Sequence, residues 1–105
     1  MARLDVYANP NRGSARRYPY LLDVQADLLR DLPSTVVIPL ARPEVVEGKP
    51  ILRLNPPREV NGKALLAMTR EFAAYRRSAP GKPLANLGDD RVAVLGALDL
   101  LFTGL

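Results

Sequence analysis

The 105-residue chain has no cysteine and no histidine. Without cysteine there is no disulfide framework, no thiolate metal site and no thiol nucleophile. Without histidine, zinc sites and histidine-dependent triads drop out as well. Aromatic residues make up only 6%, which is thin for a platform on which bases would stack. No run approaches the roughly 18 apolar residues of a membrane span. The opening Met1-Ala2-Arg3-Leu4-Asp5 places charge where a secretory signal needs an apolar stretch. The sequence also lacks a P-loop, a Gly-x-Gly-x-x-Gly turn and a Gly-x-Ser-x-Gly elbow. Neither a cofactor nor a membrane partner is expected, and the expected compartment is the cytoplasm.

What is present suits one packed domain spanning residues 1–105. Hydrophobic residues are 48% and charged residues 25%, enough apolar content for a core and an ordinary charged surface. The net charge is +4, from 15 bases and 11 acids, and most of the bases are arginine. Guanidinium suits planar contacts to carboxylate or phosphate, so acidic proteins and nucleic acids are both admissible partners. The charge is uneven. Arg3, Arg12, Arg16 and Arg17 near the start face only Asp5, whereas Asp89, Asp90 and Asp99 near the end face only Arg91. The plainer reading is a set of solvated arginines that keep a small protein soluble.

Short apolar runs lie between prolines. Leu4–Ala8 alternates as a half-buried strand, and Asn9–Ser14 reads as a loop. Tyr18–Ala26 alternates again, with Tyr20, Leu22, Val24 and Ala26 on one face and Asp23 and Gln25 on the other. Ser34–Leu40 is rich in β-branched residues, the pattern of a central strand, whose pairing is expected to end or bulge at Pro39. Ile51–Leu54 is a short strand candidate. Asn61-Gly62 accepts positive φ at both turn positions and predicts a two-residue hairpin, with Ala64–Thr69 returning. Phe72–Tyr75 is a weaker strand, and Ser78–Pro83 a turn.

The last segment changes period. Val94, Leu98, Leu101 and Leu105 fall at helical spacing, with Asp89 and Asp90 at the start and Gly104 at the exit, so a helix is expected over about 89–102. Strands first and one helix last make the chain mainly β, a small barrel or sandwich. The helix is apolar on more than one face and needs a second burying surface. The apolar stretch Ala97–Leu105 is either docked on its own core or offered to a partner.

No spacing supports catalysis. Asp23 and Asp27 are read as exposed strand-end acids rather than a carboxylate pair. Arg16-Arg17 and Arg76-Arg77, near Tyr18, Tyr20 and Tyr75, are read as side chains flanking strands rather than a nucleic-acid platform.

Several segments together resemble the CcdB family. Tyr18–Leu29, containing Asp23-Val24-Gln25-Ala26-Asp27, resembles that family's Asp-Val-Gln-Ser-Asp stretch. Val37-Ile38-Pro39-Leu40-Ala41 resembles its Val-Ile-Pro-Leu segment. Leu54-Asn55-Pro56 and Val60-Asn61-Gly62 sit where the family has a proline and a hairpin, with Met68-Thr69 after it. Leu84-Ala85-Asn86-Leu87, followed by a helix ending Phe102-Thr103-Gly104-Leu105, matches its close. The resemblance covers nearly the whole chain, least so at 42–49 and 70–83.

The resemblance implies a small SH3-like antiparallel β-barrel of five to seven strands with a C-terminal α-helix, assembled as a homodimer. It implies a toxin of a type II toxin–antitoxin module that is not an enzyme. Such a toxin binds the DNA gyrase A subunit, traps the cleaved gyrase–DNA complex and is neutralised by a CcdA-like antitoxin. DNA is touched only indirectly. Carried over by position, the gyrase-binding residues are Ala26, Leu28, Leu29, Asp99, Phe102, Thr103, Gly104 and Leu105, and the antitoxin side falls on the loops around 9–17 and 42–49. Thr103 departs from the plasmid-type tryptophan, which stacks on an arginine of gyrase, a contact threonine does not make. Chromosomal-type relatives share the Thr-Gly ending. Two alternatives are a MazF-like endoribonuclease on the same barrel and an inactive remnant that titrates antitoxin.

Overall fold

Residues Ser34–Ala41 form the strand through which the sheet is organised, here β3. Its run of Thr35, Val36, Val37 and Ile38 suits a pleated, packed surface. The computed structural model describes residues 3–104. Along one edge β3 pairs with β2 (Tyr20–Asp23), with Leu22 opposite Ile38. Along the other edge it has two partners in succession. These are β6 (Ala73–Arg76) at Ser34–Val37 and β5 (Lys63–Ala67) at Leu40–Ala41. β1 (Asp5–Ala8) pairs with β2 and with the two-residue β7 (Ala85–Asn86), and β4 (Pro57–Val60) pairs with β5. All pairings are antiparallel, in the order β4-β5-β3-β2-β1-β7 with β6 branching from β3. The result is a nearly closed antiparallel barrel with one C-terminal helix, the mainly β class the sequence predicts.

Pro39 stays inside β3, opposite Leu21, so pairing with β2 does not end there as expected. Its carbonyl accepts from Met68 N at 2.9 Å. In an extended strand a residue's N and O point the same way. The missing donor therefore faces the other edge, where pairing with β5 stops at Leu40, as expected for a proline; the Met68 carbonyl that it would have met accepts from Glu71 N at 2.9 Å instead.

The hairpin forms as read. Asn61 (φ 51°) and Gly62 (φ 80°) occupy the left-handed region, and Val60 faces Lys63 across the turn. The core gathers Val6, Leu22, Val24, Ile38, Leu40, Val60, Leu65 and Ala67 from the sheet region, with Leu4, Leu87 and the helical Val94. The helix α1 runs Arg91–Thr103 after a 3-10 turn at Gly88–Asp90. Asp90 occupies the N-cap position, but its side chain makes no cap bond. It pairs instead with Arg58 at 2.9 Å, tying the helix start to β4. Gly104 (φ 74°) ends the helix, its N–H on the Leu100 carbonyl at 3.0 Å. Val94 and Ala97 are buried and Leu98 packs partly against the core, so α1 is docked along one face.

Three readings need correction. Ile51–Leu54 is a turn and not a strand: Leu54 N and Asn55 N both donate to the Ile51 carbonyl. The buried Asn55 side chain closes it, accepting from Ile51 N at 3.3 Å and donating to Ala67 O at 3.4 Å. The strand expected over Tyr18–Ala26 shrinks to β2, and its second face is covered too, so Leu21 and Asp23 are buried. Asp23, read as an exposed acid, is 1% exposed. No helix among the described residues is long and apolar enough to cross a membrane.

Candidate functional site

The predicted site residues fall into two groups. The first belongs to the loop after β2. Ala26 precedes a 3-10 turn over Asp27–Leu29, and Asp27 accepts from Arg3 N at 2.8 Å. Leu28 stands at the tip, 92% exposed, with Leu29 and Leu32 also exposed. Asp27 lines a recess of about 350 Å³ with Arg3, Leu4, Gly88 and Arg91. The loop therefore sits beside the N-terminal end of α1.

The second group is the end of α1. Asp99 and Thr103 are one turn apart, and the Thr103 hydroxyl donates to the Asp99 carbonyl at 2.6 Å. Both line a recess of about 680 Å³. Its helical wall also contains Ala93 and Gly96, and its far wall runs from Leu52 and Arg53 to Arg58. Nothing lies within 4 Å of where a side chain at Gly96 would begin, so the wall is open there. Phe102 is 66% exposed and its ring meets Phe72 edge-on, at 5.5 Å and 61°. Gly104 is exposed at the helix exit. Leu105, also predicted, lies outside the described residues.

Within one chain the two groups do not merge. Phe102 lies three helical turns beyond Arg91, about 16 Å along the axis. What they share is exposed apolar surface on backbone that is firmly held. Sequence reasoning missed Phe72, which it placed in a weak strand, and the wall formed by Leu52 to Arg58. A phenylalanine in a chain poor in aromatics was the available signal for Phe72.

A third face brings together the loops around 9–17 and 42–49. The buried Asn9 amide donates to Ser14 Oγ at 3.0 Å and to the Tyr18 carbonyl at 2.9 Å, folding the first loop. Arg16 and Arg17 from it and Arg42, Glu44 and Val45 from the second line one recess. An adjoining recess of about 440 Å³ adds Lys49 and Arg70 around Val45, Val46, Leu54 and Met68. Tyr18 donates to Glu71 at 2.7 Å. Burial and that carboxylate push the phenol above the usual tyrosine value, against the pull of Arg17.

The basic and aromatic residues do not assemble a stacking platform. Arg17 lies over its neighbour Tyr18 at 5.8 Å. The Arg77 guanidinium is taken up by the carbonyls of Leu29 and Leu32. Asp23 and Asp27 do not form a carboxylate pair: Asp23 Oδ1 accepts from the Thr35 hydroxyl at 2.9 Å and from Gln25 N at 3.0 Å. Among the described residues no cluster of three or more histidine, cysteine, aspartate or glutamate side chains is arranged to hold a metal.

Fold and surface together define a small helix-capped β-barrel that presents apolar side chains at two sites and arginines at a third. The family model for the CcdB protein matches residues 3–104. The chain belongs to the CcdB family, toxins of toxin–antitoxin modules.

Proposed function

We propose that the chain is a gyrase poison: it binds the gyrase A subunit, traps the cleaved gyrase–DNA complex and carries out no covalent chemistry of its own. The observation that carries this reading is the exposure of Leu28 (92%) and Phe102 (66%), two of the residues proposed as gyrase contacts. Leu28 is grouped with the exposed Leu29 and Leu32, and Phe102 with the exposed Phe72, and grouped apolar surface of this kind marks protein interaction sites. Thr103, which lacks the plasmid-type aromatic, leaves Phe102 as the aromatic anchor of the helix end.

The proposed active form is a homodimer in the cytoplasm. Val92 is 87% exposed on α1, and a second copy laid along that helix face would cover it. A CcdA-like antitoxin is the proposed partner of the arginine face. The convergence of Arg16, Arg17 and Arg42 suits a disordered acidic segment that folds on binding.

The test is a gyrase cleavage assay with purified protein, alongside light scattering for the dimer mass. Accumulation of a stabilised double-strand break that needs gyrase is expected. Absence of that break, with RNA cleavage that survives repurification and vanishes on mutating a single arginine, would overturn the reading in favour of an endoribonuclease.

A further inference from the structure

Three leucines in the segment after β2, Leu28, Leu29 and Leu32, are exposed. Apolar residues on an unsupported loop would fold inward or sample many conformations, and either outcome weakens a docking surface. Here the backbone is fixed. Leu29 N donates to Ala26 O, Arg30 N to Asp27 O and Leu32 N to Leu29 O, at 2.9 to 3.1 Å. Those bonds are local, and the Leu29 carbonyl, which also accepts from Gln25 Nε2 at 3.5 Å, takes a further donor from outside the segment, as does the Leu32 carbonyl. One side chain from elsewhere reaches them. Arg77, just after β6, donates Nη2 to the Leu29 carbonyl at 3.0 Å and Nε to the Leu32 carbonyl at 2.6 Å. Its own backbone N–H donates to the Pro33 carbonyl at 3.0 Å.

We propose that Arg77 is the positioning residue of this loop, holding Leu28 in the geometry in which it docks on the gyrase A subunit. The inference rests on the gyrase reading above. A planar guanidinium spans two carbonyls at once, whereas a lysine ammonium is a point charge on a flexible stem. Arg77 also lies close enough to the buried Asp23 to favour its charged form. Arg77→Lys keeps that charge and removes the fork, so it separates loop positioning from support of the core.

The experiment is calorimetric titration of the full chain with a fragment of the gyrase A subunit carrying its dimerisation region. Wild type, R77K, L28A and the double variant are compared, with melting temperature and mass recorded for each. R77K is expected to bind about tenfold more weakly at unchanged melting temperature, as for a loop that keeps its docking geometry a tenth of the time. L28A is expected to lose at least as much, and R77K to add nothing in the L28A background. R77K binding like wild type while L28A is weakened would overturn the role of Arg77 and leave the gyrase reading standing. Losses that simply add, or L28A binding like wild type, would overturn it too. Wild type failing to bind the fragment would overturn the gyrase reading itself, and this inference with it.

Discussion

Replacing Asp23 by asparagine tests whether the fold carries an uncompensated buried carboxylate. Asp23 is 1% exposed in β2. Burial pushes its pKa up; the Thr35 hydroxyl, the Gln25 amide and the Arg77 charge pull it down but do not win. The native state therefore holds the Asp23 proton more tightly than the unfolded chain does. Its contribution to stability is complete below the ordinary aspartate range, near pH 4, and is lost as pH rises through the folded value. Each unit of elevation is worth about 1.4 kcal/mol, or roughly 6–11 °C in melting temperature for a domain of this size. Asparagine keeps an oxygen able to accept both hydrogen bonds and removes the charge. Its new amide protons add an offset that does not depend on pH, so the informative quantity is the slope. Denaturant unfolding at fixed protein concentration between pH 4 and pH 8 is expected to show wild type losing stability relative to Asp23→Asn as pH rises. Parallel curves, or wild type gaining on the variant with rising pH, would refute the reasoning.

Two more outcomes follow from the geometry. Gly62→Val forces a β-branched side chain into φ 80° and is expected to cost about 1–3 kcal/mol, read as a lower denaturation midpoint; an unchanged midpoint would mean that the turn relaxes freely. Phe102→Ala removes one edge-to-face ring contact from an exposed side chain, so it is expected to cost no more than about 1.5 kcal/mol of stability while abolishing binding to the gyrase A fragment. Retained affinity would remove the helix end from the proposed site.

The readable parts of the sequence were those decided locally. β-branched crowding marked β3, positive φ at Asn61-Gly62 marked the hairpin, and helical spacing with Gly104 marked α1. What escaped was decided across the chain. Pro39 marked a break in pairing, but the sequence does not show which edge its missing donor faces. Ile51–Leu54 has strand-like composition, but the side chain of Asn55 closes it into a turn, which no propensity records. β7 is two residues long and exists because Val6 and Asp5 offer it an edge. Asp23 looked exposed by alternation, yet both faces of β2 are covered. Arg76 and Arg77 looked alike as a basic pair. Strand period two distinguishes them, since Tyr75 and Arg77 share the partly buried side while Arg76 points to solvent.

The held backbone beneath the exposed residues bears on how the two proposed partners would be recognised. Leu28 rests on a loop fixed by Arg77 and by the Arg3–Asp27 contact, and Phe102 leans on Phe72 at the end of a docked helix. Backbone already fixed in place loses little entropy on docking, so more of the apolar burial remains as affinity. That arrangement suits a folded target such as a gyrase subunit. The arginine face works on a different principle. Arg16 and Arg42 are exposed, long and rotatable, and attract by charge over several ångströms, which speeds encounter more than it fixes geometry. It suits a flexible acidic chain that becomes ordered as it binds. High salt is accordingly expected to weaken the arginine face far more than the apolar sites, because exposed charges are screened and apolar burial is not.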